Sequence, residues 1–360
     1  MSSTVETVET GDGAERSSTI ETVRGPVAVG DLGPTLTHEH LVVSSVEFAR
    51  DYPERAWPRG RQAALADVVA QLRATYARGI RTIVDCTALF HGRDMAFVAE
   101  ANAAVPELHV VVSTGIYTDD YLPFYLKHRP RRPGEVDVMT ELFLRDLQVG
   151  IGESGVRAQN IKVMTDAPGV TANNERILRA AAQAAIATGA PITCHTHAPA
   201  RNGLAQQAIF AQEGLDLAGV VVGHSGDTTD LDYLRALMDA GSTIASDRFG
   251  LNGAGRASED QRLDTIIALC GEGYADRIVL SHDCLMACDW LDSFDAYPAT
   301  WVPTHVSDVI LPALRERGLE EKAIEQMMVT NPARLLGRNI SPSLRSPRNT
   351  SPSLRSPRNA

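Results

Sequence analysis

Two histidines spaced two apart, His38 and His40, close the run Thr35-Leu36-Thr37-His38-Glu39-His40, which follows the turn residues Gly33 and Pro34. In an extended strand, residues i and i+2 share a face, so both imidazoles can reach one point. Neutral imidazole is the commonest side-chain metal ligand, and a pair aimed at one point is half a metal site. The plainer alternative is two polar residues at a strand end. Matching donors recur later, inside or at the ends of β-branched runs: Lys162 between Ile161 and Val163, then His195, His224 and Asp283. Taken singly, His224 could be a satisfied core histidine and Asp283 a helix cap before Cys284. Taken together, the six point to a metal centre. Lys162 is the informative member, because a free ammonium facing inward beside cations suffers both desolvation and like charge. Carboxylated by CO₂, its amine becomes an anionic oxygen ligand able to bridge two metals.

The elements that must position these residues alternate along the chain. Short β-branched runs fall at Arg81–Thr87, His109–Gly115, Asn160–Thr165, Pro191–His197, Gly219–Gly226, Ser242–Arg248 and Arg277–Asp283, and Thr35–His40 completes a set of eight. Helical spacing separates most of them. Gln62–Arg78 carries Leu65, Val68, Val69, Leu72 and Tyr76, and Asn174–Thr188 carries Ile177, Leu178, Ala181, Ala182 and Ala185. Capping residues from Thr171 to Asn174 open the second helix, and Gly189 stops it. Strands that are nearly continuous in apolar residues, alternating with helices, imply a parallel sheet covered by helices, and eight such units imply a closed (β/α)₈ TIM barrel of the α/β class. In that barrel all the C-terminal strand ends face one mouth, where the six candidate ligands would converge. Neither G-x-G-x-x-G nor a Walker motif follows the early strands, which argues against nucleotide binding.

Composition agrees with a globular protein and narrows its partners. The chain has 360 residues, 44% hydrophobic and 22% charged, with a formal net charge of −11 that argues against nucleic acid as the main partner. No apolar run is long enough to span a bilayer, and the first residues lack the basic-then-apolar order of a signal peptide. Five scattered cysteines suit a reducing cytoplasm. Residues 1–18 read as a disordered lead-in, 19–340 as the barrel domain, and 341–360 as a basic low-complexity tail in which SPSLRSPRN occurs twice. Other candidates rank lower. The cysteines lack zinc-site spacing and read as inert thiols, and Ser225 is not in a nucleophile elbow. His91, His128 and His305 fall in expected loops or helices, where solvated or capping roles are the default. Phe249, Trp290 and Trp301 sit on or near loops that would shape a substrate pocket.

The stretches GPTLTHEHL, ATGAPITCHTHA, GVVVGHSGDTTDLDYL and NPARLLG, with the strand around Lys162, resemble the phosphotriesterase family of the amidohydrolase superfamily. The resemblance implies a binuclear site: His38, His40 and Asp283 on a buried metal, His195 and His224 on an outer one, and carboxylated Lys162 and a hydroxide between them. Zinc is the metal expected first, although these donors also accept cobalt, manganese or iron. His197 is not a ligand in this pattern and reads as pocket-lining. Asp283 would take part in proton transfer, with Asp227 and Arg248 as an onward path. Asp247-Arg248-Phe249-Gly250, and Tyr117 after Gly115-Ile116, resemble the lactonase branch rather than the phosphotriesterases, which carry histidine at the Arg248 position. Hydrolysis of a lactone (an N-acyl-homoserine lactone is one candidate) with promiscuous phosphotriester hydrolysis is therefore expected. A dedicated phosphotriesterase or aryl esterase, and a non-catalytic metal-binding barrel, are the alternatives. The resemblance also implies a homodimer.

Overall fold

The computed structural model describes residues 19–129, 134–253, 255–291 and 293–338; the lead-in and the repeated tail lie outside them. The first strands, β1 (Thr19–Thr22) and β2 (Gly25–Ala28), form an antiparallel hairpin that the sequence reading did not anticipate. Parallel strands then follow: β3 (Thr35–His40), β4 (Thr82–Asp85), β5 (His109–Gly115), β6 (Asn160–Met164), β7 (Ile192–His195), β8 (Val220–Val222), β9 (Thr243–Ser246), β10 (Ile278–Leu280) and β11 (Cys284–Leu285). They pair in the order β10-β9-β8-β7-β6-β5-β4-β3-β11. Since β11 continues the path of β10 and pairs with β3, the sheet closes on itself. The Asp283 N–H donating to the His38 carbonyl, at 2.9 Å, fastens that seam. The architecture is the expected TIM barrel.

Period-two alternation sorts the strand residues. Ile161, Val163, Ile192, Cys194, Val220, Val222, Ile278 and Leu280 pack outward into the large core beneath the helices. Their neighbours face the barrel interior: Val84 and Val111 in one small cluster, and Val221, Ala245 and Val279 in another. Ile20 of the hairpin and Leu335 and Leu336 of the closing helix Asn331–Leu336 complete those interior clusters and plug the lower end. Each fully buried Val or Leu contributes about 1.5–3 kcal/mol relative to exposure, so the lower barrel is a firm apolar floor. Polar residues continue the interior rows above it.

The helix Ala172–Thr188 begins as its sequence suggests. Thr171 caps it in a reciprocal box with Asn174, and Gly189 ends it in the left-handed conformation at φ 79°. The longest of the early helices spans Arg61–Ala77. Gly115 is required for a different reason. At φ 101° it lies against the Lys162 backbone, where any Cβ would overlap the Lys162 carbonyl.

Candidate metal centre

The six sequence candidates meet at the C-terminal mouth of the barrel. His38 Nε2 lies 2.6 Å from Lys162 Nζ and 3.2 Å from Asp283 Oδ1, and His40 Nε2 lies 3.1 Å from the same oxygen. His224 Nε2 lies 2.9 Å from His195 Nδ1 and 3.8 Å from Asp283 Oδ2. Asp283 therefore offers one oxygen to the His38–His40 pair and turns the other toward His224. Lys162 is fully buried among them.

Two of the six do not sit where strand periodicity puts them. His224 and Asp283 fall two or three residues past the ends of β8 and β10, and both are left-handed, at φ 58° and 53°. Non-glycine residues held there cost of order 1–3 kcal/mol and persist only when their surroundings fix them. The surroundings do so. Glu39, on the face of β3 opposite the two histidines, accepts hydrogen bonds from Ser281 Oγ (2.8 Å), His282 N (3.0 Å), His282 Nδ1 (2.6 Å) and Cys284 N (2.9 Å). That carboxylate clamps both sides of Asp283. The His224 N–H donates to Asp247 Oδ1 at 2.7 Å, which anchors the other left-handed residue.

Each imidazole turns one nitrogen inward and is anchored through the other. His38 Nδ1 meets Asp247 Oδ2 at 2.6 Å and His224 Nδ1 meets Asp247 Oδ1 at 3.0 Å. His195 Nε2 meets Asp166 Oδ2 at 3.1 Å, and His40 Nδ1 meets Thr87 Oγ1 at 2.8 Å. With the outer N–H donated, the inner nitrogen carries the lone pair that a metal needs. Burial supports this by lowering the histidines: His38 below its ordinary value, His195 to about 4 and His224 well below 6.5. Neutral, oriented imidazoles converging with a carboxylate fit a metal centre. Among the described residues, two groupings put possible ligand atoms within 4.8 Å of one another: His38, His40 and Asp283, and His38, His224 and Asp247. The first coincides with the three ligands expected on the buried metal. In the second, both Asp247 oxygens already accept histidine N–H groups, which makes Asp247 an anchor.

The remaining candidates ring this centre. Arg248 Nε donates to Asp283 Oδ2 at 3.1 Å and its Nη1 to Asp227 Oδ2 at 2.9 Å. Burial disfavours the guanidinium charge, but Asp283 and Asp227 outweigh burial and raise Arg248 above its ordinary value. Burial likewise opposes the Asp283 charge, and His38, His224, His40 and Arg248 overcome it, so Asp283 is held well below the usual carboxylate range. Tyr117 places its hydroxyl 3.5 Å from His195 Nδ1, and burial raises its phenol, keeping it protonated. His197 is 40% exposed with Nδ1 3.7 Å from Asp166, outside the ligand cluster.

Several participants escaped the sequence reading. Asp247, Asp166 and Thr87 anchor the candidate ligands; the sequence reading takes in Asp247 only within the Asp247–Gly250 motif and expects none of the three to anchor. His91 is not solvated as expected. Its ring stacks on Tyr117 at 4.0 Å and meets the edge of His40 at 4.8 Å, and its Nδ1 is buried without a partner among the described residues. His305 is also buried, with Nε2 2.8 Å from Glu259, whereas His128 is exposed as expected. Phe249 is fully buried and joins the core, so it cannot line a pocket, whereas Trp290 is half exposed. All five cysteines are free.

Sequence comparison agrees with this geometry. The phosphotriesterase family model matches residues 18–336. The chain belongs to the phosphotriesterase family. A phosphotriesterase homology protein of Mycobacterium tuberculosis is 42% identical over 331 residues, covering 89% of this chain and 98% of the relative. An aryldialkylphosphatase of Saccharolobus solfataricus is 33% identical over 306 residues, covering 84% of this chain and 94% of that one. Among solved structures, the phosphotriesterase from Mycobacterium tuberculosis superposes with a TM-score of 0.83 at 40% identity, covering 89% of this chain and 98% of that chain. No helix among the described residues is long and apolar enough to cross a membrane.

Proposed function

We propose that this member of the family is a binuclear metal-dependent hydrolase of lactones, with weaker activity on phosphotriesters. The observation that carries the reading is Arg248, which spans Asp283 and Asp227 where a proton-relaying group would otherwise stand. His38, His40 and Asp283 would hold one divalent metal, His195 and His224 the other, with carboxylated Lys162 between them. Zinc is the first choice, and cobalt, manganese or iron suit the same donors. When bound, the metals supply an ionised water at neutral pH and polarise the electrophilic oxygen.

The protein's own groups do the rest. Asp283 accepts a proton as water attacks the lactone carbonyl, and returns it to the ring-opened alkoxide as the ring C–O bond breaks. Tyr117, protonated and beside His195, donates a hydrogen bond where negative charge develops on the carbonyl oxygen. Arg248 stays protonated and cannot relay, so it acts as a fixed cation that orients Asp283. A phosphotriester with a phenolate leaving group needs no returned proton, and gains less from this arrangement.

The test is kcat/KM of the metal-reconstituted enzyme for a γ- or δ-lactone against a nitrophenyl phosphotriester. The lactone is expected to win. If the phosphotriester wins by roughly a hundredfold, about 2.7 kcal/mol of transition-state preference, the dedicated phosphotriesterase or aryl esterase reading takes over, as the name of the Saccharolobus relative suggests. Full metal content with turnover of neither would leave a non-catalytic metal-binding barrel.

A further inference from the structure

On one side of the barrel mouth, three guanidiniums make their direct ion pairs with only two carboxylates. Arg262, the largest fully buried side chain, donates to Asp227 Oδ1 (2.8 Å), the Arg248 carbonyl (2.8 Å) and the Gly226 carbonyl (3.2 Å). Arg248 takes Asp227 Oδ2 and Asp283 Oδ2. Arg256, on the loop after β9, brings Nε to within 3.5 Å of that same Asp227 Oδ2. Three guanidiniums therefore share two carboxylates, and Asp283 is already engaged by His38 and His40.

Arg256 has the weakest share. Its contact is the longest of the set, on an oxygen that Arg248 already holds, and its two Nη groups have no acceptor among the described residues. Its side chain is 32% exposed, so a ligand can reach it. Burial, with Arg248 and Arg262 nearby, pushes Arg256 below its ordinary value, as expected for an undercompensated cation. An incoming anion would relieve that repulsion, and the planar guanidinium fork matches a carboxylate bidentately. On the β6 side of the mouth the charge is reversed: Asp166 is a 36% exposed carboxylate beside His195 and His197. An anionic tail is thus repelled from one side and attracted to the other.

We infer that Arg256 forms an anion subsite at the mouth, which selects substrates carrying a carboxylate or similar oxyanion away from the scissile bond. This rests on the lactone-hydrolase reading for its chemistry, though not for its binding. The test compares γ-butyrolactone-γ-carboxylate with its methyl ester, using the metal-loaded enzyme. At low ionic strength the carboxylate is expected to have the higher kcat/KM by about tenfold, a preference that should shrink toward unity near about 0.5 M salt. In Arg256→Gln the ratio of the two should fall about fivefold or more, with partial recovery in Arg256→Lys, which keeps the charge. Equal or better turnover of the methyl ester at low salt overturns the subsite and leaves the hydrolase reading standing. Tetrahydrofuran-2-carboxylate, which has no scissile bond, separates the two ideas. If neither lactone is hydrolysed but this anion binds wild type more tightly than Arg256→Gln, the hydrolase reading falls and the subsite stands. If it binds both proteins equally, the subsite falls.

Discussion

Two aspartates at the mouth, Asp247 and Asp227, hold opposite kinds of partner. Asp247 is fully buried and gives its oxygens to imidazoles, His38 and His224. Asp227 is 6% exposed and gives its oxygens to guanidiniums, Arg248, Arg262 and Arg256. The first arrangement sets the tautomer of a neutral ligand and leaves its inner lone pair free. The second fixes permanent charges that no pH in the working range removes. The base of the site thus suits a bound cation, and its rim carries fixed ones. Carboxylates of the same type serve both ends, and their partners decide the role.

The largest expected effects test the base. Lys162→Ala should remove most activity and lower metal stoichiometry, and short-chain carboxylic acids should restore part of both by filling the vacated space; wild-type metal content and rate would eliminate Lys162 as a ligand. Asp247→Asn should cost about 10–100-fold in metal affinity, because two ligands lose their anchor together. Asp227→Asn, in contrast, should lower kcat while metal content stays within about twofold of wild type, since its partners are arginines. Equal metal loss in the Asp247 and Asp227 variants would erase the distinction between base and rim. Asp283 belongs to both regions. Asp283→Asn should depress lactone kcat/KM more than that for an activated phosphotriester, with metal content measured in parallel.

Acid should separate the regions too. An imidazole with a folded pKa below its unfolded value destabilises the fold as pH falls, because the unfolded chain takes up the proton first. His195 moves from 6.5 to about 4, and His38 and His224 move in the same direction. In chelator-stripped protein, Tm is therefore expected to hold above pH 6.5 and to fall progressively between 6.5 and about 4. The arginine rim contributes nothing to that slope. A flat profile across this window would mean that the histidines are not buried neutral.

How much of this could be read beforehand depends on where the partner of each residue lies in the chain. The barrel was legible because short, nearly continuous β-branched runs, each readable on its own, alternate with helical spacing, and Lys162 stood out because Ile161 and Val163 flank it within such a run. His38 and His40 were legible for the same local reason. The anchors were not, since each is defined by a distant strand: Asp247 by His38, Thr87 by His40, Asp166 by His195. His91 was misjudged because loop position suggests solvent, whereas its neighbour Tyr117 arrives from the end of the next strand. The left-handed turns at His224 and Asp283 left no trace in periodicity, because a single positive φ changes direction without changing composition. Asp227 and Arg248 were expected to carry a proton onward. They do lie together, and Asp227 meets three guanidiniums there.

The smallest expected effects refine the comparison. Tyr117→Phe should lower lactone kcat/KM by roughly tenfold with metals retained, the upper part of what one modest hydrogen-bond donor supplies; an equal loss on phosphotriesters would assign the ring, stacked on His91, a packing role instead. The finest distinction lies within the base itself. Three of the four imidazoles lean directly on a carboxylate, but His40 leans on the Thr87 hydroxyl, and the Thr87 N–H in turn donates to buried Asp85 at 2.9 Å. A neutral acceptor holds an N–H about half as strongly as a charged one. Thr87→Val keeps the side-chain shape and removes the hydroxyl, which both accepts from His40 and bonds the buried Asp85 carboxylate, leaving the His40 Nδ1–H buried and unpaired at a cost of about 1–3 kcal/mol. Metal dissociation should therefore quicken about tenfold, less than in Asp247→Asn, and Thr87→Ser should recover most of the loss by returning the hydroxyl. Faster metal release from the valine variant than from Asp247→Asn, measured with a chromogenic chelator, would show that His40 governs retention and that the hydroxyl anchor outranks the carboxylate.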